Sequence, residues 1–133
     1  MNPIRVLLAD DEPSVRRGLQ MRLALEPDIE VVGEAPDGDA VVALAEELHP
    51  DVVVMDIRMP GLDGLRAARR LLDLVPETSV VILTLHDDPH ARVMAGAASC
   101  AGFVGKHEPS EALLHAIRCA AAGEPTGVFN SSC

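Results

Sequence analysis

The sequence predicts an α/β fold in which five parallel strands form a doubly wound sheet. The first observation is a set of short apolar runs, such as Val52-Val53-Val54-Met55, that lack polar alternation. Such runs are typical of strands that helices cover on both faces. The second observation is that segments with the apolar spacing of amphipathic helices separate these runs. Because strands and helices alternate strictly, we expect parallel pairing through right-handed crossovers.

Five strands are predicted, and each is followed by a helix. The strands cover residues 4–9, 29–35, 52–56, 79–84 and 102–105. The helices cover residues 13–26, 40–48, 65–75, 89–98 and 112–122. Asp37, Asp63 and the pair Asp87-Asp88 precede helices and are expected to cap them. Residues 1–123 are therefore predicted to form one domain, and residues 124–133, which lack periodicity, a linker or disordered tail.

The composition narrows the class of partner. The chain has 133 residues, with 11 Lys and Arg against 21 Asp and Glu, giving a net charge of −10. This balance argues against direct binding of nucleic acid or an anionic membrane and suits a metal cation. The sequence contains neither a signal-peptide layout nor an apolar run of membrane-spanning length, and its three cysteines form no C-x-x-C pair. A cytoplasmic location without membrane contact is expected.

Polar side chains follow the buried strands where each strand ends. They are Asp10, Asp11, Asp56, Thr84 and Lys106. In a doubly wound sheet these strand ends meet around the point where strand order reverses, so three carboxylates would share one pocket. Such crowding requires compensation by Lys106 and a divalent cation, and an oxygen-only ligand set favours Mg²⁺. The pocket is therefore suited to accepting a phosphoryl group on a carboxylate.

Several motifs occur at these strand ends in a fixed order. They are Asp10-Asp11, Met55-Asp56 with Met59-Pro60-Gly61 and Asp63-Gly64, Thr84, and Phe103 three residues before Lys106. With them, the chain resembles the receiver domain of response regulators, the phosphoacceptor module of two-component signalling. Two segments are similar in sequence to the NarL/LuxR-type subfamily: Thr84-Leu85-His86-Asp87-Asp88 and Ala121-Ala122-Gly123-Glu124. The resemblance implies a flavodoxin/CheY-like (βα)5 receiver fold.

The resemblance also implies roles for the strand-end residues. Asp56 would be the phosphoacceptor, Lys106 would pair with the phosphoryl group, and Thr84 with Phe103 would form the switch pair. The implied Mg²⁺ ligands are three carboxylates and one backbone carbonyl, those of Asp10, Asp11, Asp56 and Arg58. A receiver turns over no separate substrate, so no enzyme activity is expected.

The resemblance implies partners as well. A sensor histidine kinase would donate the phosphoryl group, and a homodimer fits the family. DNA would be bound only through a C-terminal helix-turn-helix domain, which is absent from this chain, so that transcription regulation is expected of a full-length protein. The alternative is a stand-alone receiver that acts in a phosphorelay or as a phosphorylation-independent interaction module.

Three departures from the family's usual sequence affect the expected structure. Ser99 stands where Gly is frequent, so it must end the fourth helix differently or bear strain. Leu85 stands where Ala is frequent and could restrict access to Asp56. Lys106 is not followed directly by Pro, so no cis peptide bond is expected there.

Two other enzyme or cofactor classes are disfavoured. A haloacid-dehalogenase-like phosphatase would need a second Asp two residues after Asp56, where Arg58 stands. A flavin- or dinucleotide-binding domain would need a G-x-G-x-x-G motif after the first strand, and none is present there.

The pair Arg16-Arg17 is expected to lie on a solvated helix face.

Overall fold

In the computed structural model, which describes residues 2–85 and 89–123, strands alternate with helices as the sequence predicts. The strands are β1 (Ile4–Ala9), β2 (Ile29–Ala35), β3 (Val52–Met55), β4 (Ser79–Thr84) and β5 (Gly102–Gly105). The helices are α1 (Pro13–Leu23), α2 (Gly38–Leu48), α3 (Gly64–Leu74), α4 (Pro89–Ala97) and α5 (Ser110–Ala121). The expected cap at residues 87–88 and the expected tail at 124–133 lie outside the described residues.

The element boundaries differ from prediction by a few residues. β3 ends at Met55, one residue early, and the N–H of Asp56 donates to the carbonyl of Ala9 at 3.1 Å, which keeps Asp56 tied to the end of β1. Asp37 and Asp63 cap α2 and α3 as expected, each accepting a backbone N–H three residues on, at 2.8 Å and 3.0 Å. The helices therefore begin directly after their caps.

All strand pairs are parallel, and the sheet order is β2-β1-β3-β4-β5. This is a doubly wound order of the flavodoxin type, in which the chain reverses direction across the sheet between β1 and β3. The register sets Ala9 beside Met55, and Met55 beside Ile82. The residues that follow β1 and β3 are thus neighbours at the carboxyl edge.

Two hydrophobic cores cover the faces of the sheet, and alternate strand residues enter each. Leu7, Val53 and Ile82 belong to the core beneath α2, α3 and α4. Val6, Val54 and Val81 belong to the core that α1 and α5 cover, in which Leu23, Leu113 and Ile117 are buried. Because both faces are buried, a central strand such as β3 needs apolar residues at every position, which explains its unbroken run in the sequence.

Ser99 adopts a strained backbone conformation, as expected for a residue that stands where glycine is frequent in the family. Its φ is 63°, in the left-handed region, and its N–H donates to the carbonyl of Gly96 at 3.0 Å. The N–H of Cys100 donates to Ala95 at 3.1 Å, which completes a Schellman ending of α4. For a residue with a Cβ atom this conformation costs about 1–2 kcal/mol.

No peptide bond within the described residues is cis, which agrees with the expectation at Lys106. In the same part of the chain, none of the helices combines the length and the apolar character needed to cross a bilayer.

Candidate functional site

The carboxyl edge of the sheet brings together the residues that follow the buried strands. Asp10 and Asp56 come directly after the adjacent strands β1 and β3. Thr84 closes β4, and its carbonyl accepts the backbone N–H of Lys106, which follows β5, at 2.8 Å. The prediction that these side chains converge on one edge is therefore confirmed.

Three carboxylates form a cluster at this edge. One oxygen from each of Asp10, Asp11 and Asp56 lies within 4.8 Å of the other two. Asp10 is 3% exposed and Asp56 is 8% exposed, whereas Asp11 is open to solvent. Like charges at this separation repel strongly when partly removed from water, so the cluster requires a cationic partner.

Lys106 supplies one positive charge to the cluster. Its Nζ donates to Oδ2 of Asp10 at 2.7 Å and to Oδ2 of Asp56 at 3.1 Å, and its side chain is 12% exposed. Burial alone would lower the pKa of Lys106, but the bonds to the two carboxylates outweigh it and hold the pKa above its usual value. Lys106 is therefore protonated at neutral pH, yet the carboxylates remain in excess and fit a divalent cation with oxygen ligands.

The backbone after Asp56 is packed against its carboxylate and carbonyl. The N–H of Arg58 lies 3.4 Å from Oδ1 of Asp56, and the N–H of Gly64 donates to Ile57 at 2.8 Å. A Cβ atom on Gly64 would overlap the carbonyl oxygen of Asp56 and lie 2.9 Å from Cα of Ile57. Only glycine permits this approach, so Gly64 sets the start of α3 against the strand end.

The predicted switch pair is buried. Thr84 is fully buried and Phe103 is 2% exposed. The guanidinium carbon of Arg92, on α4, lies 4.8 Å from the centroid of the Phe103 ring, at cation–π distance. Leu85, next to the switch threonine, is 65% exposed.

Arg16 does not lie on a solvated helix face, so that prediction was wrong. Its side chain is only 17% exposed, donating to the carbonyl of Asp10 at 2.5 Å and to Oε1 of Glu34 at 3.0 Å. Arg17 is exposed, as expected. The partner Glu34 comes from β2, and no local sequence signal links it to Arg16.

Comparison with known proteins decides the family. Residues 6–118 match the protein family described as "response regulator receiver domain". This chain belongs to that family. Relatives are NarL/LuxR-family regulators, among them the transcriptional regulatory protein LiaR of Bacillus subtilis strain 168, 42% identical over 125 residues, which span 92% of this chain and 58% of LiaR. The nitrate/nitrite response regulator protein NarL of Escherichia coli K12 is 36% identical over 122 residues, spanning 92% and 56% respectively.

Solved receiver structures share the fold. The signal receiver domain of a NarL response regulator from Mycobacterium tuberculosis matches with a TM-score of 0.89 and 34% identity, over 93% of this chain and 100% of that one. The response regulator domain of Thermotoga maritima CheB matches with a TM-score of 0.85 and 32% identity, over the same shares. The fold is thus the CheY-like receiver fold, and this receiver spans about half the length of the curated relatives it matches.

Proposed function

We propose that this receiver is the phosphoacceptor domain of a two-component response regulator and that Asp56 accepts the phosphoryl group. The observation that carries the proposal is the partly buried ammonium of Lys106, which joins Asp10 to Asp56 within a cluster of three carboxylates. A structural ion pair needs only one carboxylate, whereas this arrangement leaves negative charge in excess at the end of the sheet. Phosphoryl transfer requires such a preorganised charged pocket.

Mg²⁺ is the proposed cofactor. Its ligands would be oxygens, from the carboxylates of Asp10, Asp11 and Asp56 and from the backbone carbonyl of Arg58. The convergence of three carboxylate oxygens within 4.8 Å supports this assignment. When bound, Mg²⁺ supplies positive charge that offsets the phosphoryl oxygens.

The chain's own residues would perform the transfer. A carboxylate oxygen of Asp56 attacks the phosphorus of a phosphohistidine, and the P–N bond breaks as the O–P bond forms. The imidazole leaves with the electron pair of that bond and takes up a proton from solvent. Lys106 neutralises one phosphoryl oxygen, and the Thr84 hydroxyl donates a hydrogen bond to another.

Thr84 and Phe103 are the proposed switch. If Thr84 turns toward the phosphoryl group, the space beside it becomes available to the Phe103 ring. Both side chains are buried and lie on the paired strands β4 and β5, so a change in one would repack the surface formed by α4, β5 and α5. The proposed output is therefore a change of surface rather than turnover of a separate substrate, and the domain is not an enzyme.

The proposed partner is a sensor histidine kinase in the cytoplasm, and residues 1–123 are the proposed receiver unit. Relatives described as transcriptional regulators are about twice as long as the match, which supports an attached DNA-binding domain and transcription control in a full-length protein. The acidic receiver would not contact DNA itself. A homodimer and a stand-alone phosphorelay role are compatible with the same chemistry.

The test is the intact mass of the protein after exposure to acetyl phosphate, with Mg²⁺ or with EDTA. We expect the wild type to gain the mass of one phosphoryl group only with Mg²⁺, and Asp56→Asn to gain none. The matched control is Asp63→Asn, since Asp63 is a helix cap on the same loop. A folded wild type that gains no mass would contradict the proposal and leave a role that depends on binding alone.

A further inference from the structure

We propose that Arg16 is a positioning residue for the metal-binding carboxylates, an inference that rests on the proposed function of the site. Held by Glu34, its guanidinium fixes the peptide group between Asp10 and Asp11 and thereby orients the exposed carboxylate of Asp11.

The contacts of Arg16 join α1 and β2 to Asp10, the residue that follows β1 at the edge of the site. Arg16 lies in α1, its Nη1 donates to the carbonyl oxygen of Asp10 at 2.5 Å, and its Nε donates to Glu34 of β2 at 3.0 Å. The side chains of Arg16 and Glu34 are 17% and 33% exposed. The two donors point to acceptors on different segments of the chain, so the planar guanidinium group cannot rotate without losing one of the two hydrogen bonds.

The other polar groups of Asp10 already have partners. Its N–H donates to the carbonyl of Ala35 at 3.1 Å, and its carboxylate accepts from the N–H of Glu12 at 3.0 Å and from Lys106 at 2.7 Å. The carbonyl held by Arg16 completes the set. That carbonyl belongs to the same peptide plane as the N–H of Asp11, so fixing it also fixes the direction in which the chain leaves toward Asp11.

Asp11 depends on this backbone more than Asp10 does. Among the described residues, no side chain or backbone group donates a hydrogen bond to the Asp11 carboxylate, which is exposed. Its position is therefore set by the peptide before it. Groups that orient metal ligands in this way change metal affinity when they are removed, although they do not touch the ion.

The action of Arg16 is geometric rather than Coulombic. Glu34 neutralises the guanidinium, so the pair adds little net charge near the cluster. A residue that acted only through its positive charge would repel Mg²⁺, and its removal would strengthen binding. A positioning residue has the opposite effect, so the sign of the change separates the two roles.

The test compares Arg16→Met with Arg17→Met, since the exposed neighbour Arg17 loses the same charge. Mg²⁺ affinity is measured by isothermal titration calorimetry, and unfolding in EDTA is followed separately by circular dichroism. We expect Arg16→Met to bind Mg²⁺ about tenfold more weakly than Arg17→Met. The Mg²⁺ concentration for half-maximal phosphorylation by acetyl phosphate should rise similarly, while the maximal rate is largely kept.

Arg16→Lys supplies the conservative variant. Lysine keeps the positive charge but lacks the two-donor guanidinium group. The Mg²⁺ affinity of Arg16→Lys should therefore fall between those of the wild type and Arg16→Met. Equal Mg²⁺ affinities in the folded Arg16→Met and Arg17→Met variants would overturn the inference. If Arg16→Met does not fold, Arg16→Lys and Arg17→Lys decide it by the same comparison. A wild type that binds no Mg²⁺ would instead overturn the proposed function itself, and the role of Arg16 with it.

Discussion

Two glycine-to-alanine substitutions test how tightly the segment after Asp56 is packed. Gly64 begins α3 beside the candidate site, and Gly18 lies within α1. A Cβ atom at Gly64 would overlap the carbonyl oxygen of Asp56 and lie 2.9 Å from Cα of Ile57, whereas a Cβ atom at Gly18 would have no heavy atom within 4 Å. The same chemical change is therefore expected to have opposite effects on stability.

The magnitudes follow from these surroundings. Carbon atoms pack at about 3.5–4.0 Å, so α3 or the strand end must move by roughly 1 Å in Gly64→Ala. Overpacking against backbone costs about 2–3 kcal/mol, which exceeds the gain in helix propensity. Gly18→Ala reduces the entropy of the unfolded chain without a clash and should stabilise by about 0.5–1 kcal/mol.

The assay is thermal unfolding followed by circular dichroism, with urea unfolding to give the free energy. At about 4 °C per kcal/mol for a domain of this size, Gly64→Ala should lower Tm by about 8–12 °C, and Gly18→Ala should raise it by about 2–4 °C. A Gly64→Ala variant as stable as Gly18→Ala would refute the reasoning, because the loop after Asp56 could then move aside for the Cβ atom without loss of stability.

Three further substitutions have expected outcomes. Ser99→Gly relieves the left-handed strain and should raise the free energy of unfolding by about 1 kcal/mol in urea titrations; a loss of stability would contradict the φ of 63°. Lys106→Met leaves the buried carboxylates without their cation, so it should cost about 3–5 kcal/mol in EDTA and regain more stability from Mg²⁺ than the wild type does; equal Mg²⁺ effects on Tm would count against the cluster. Hydrogen bonds from Arg22 and Arg118 hold the pKa of Glu26 below 4.5, and two hydrogen bonds from Arg118 hold the pKa of Asp28 below 3.8. Both carboxylates stabilise the fold above those values and lose the contribution as pH falls through their lower folded pKa values. Arg118→Gln should therefore destabilise the protein at pH 7 and have little effect in strong acid, and a pH-independent difference in Tm would exclude this linkage.

Local pattern was enough to predict the sheet and the convergence of its strand ends. The apolar runs place the strands, and parallel pairing then brings Asp10, Asp56, Thr84 and Lys106 to one edge without any knowledge of side-chain contacts. The prediction ended β3 one residue too late, at Asp56, because the apolar run shows where the strand lies but not at which residue its backbone pairing stops.

Contacts between distant segments could not be predicted in this way. Arg16 looks like an ordinary helix-surface residue until β2 places Glu34 beside it, 18 residues away. The requirement for glycine at Gly64 likewise depends on how close α3 comes to β3 in three dimensions. These features arise from tertiary packing, which neither periodicity nor strand-end position encodes.

The position of the phosphoryl group tests the central claim most directly. After reaction with acetyl phosphate and Mg²⁺, borohydride reduces an aspartyl phosphate to the alcohol, which converts the modified aspartate to homoserine. Peptide mass mapping then locates that residue. We expect homoserine at position 56 alone, and only in samples that contained Mg²⁺. Homoserine at Asp10, Asp11 or another carboxylate, or its absence from folded protein, would contradict the assignment of Asp56 as the phosphoacceptor.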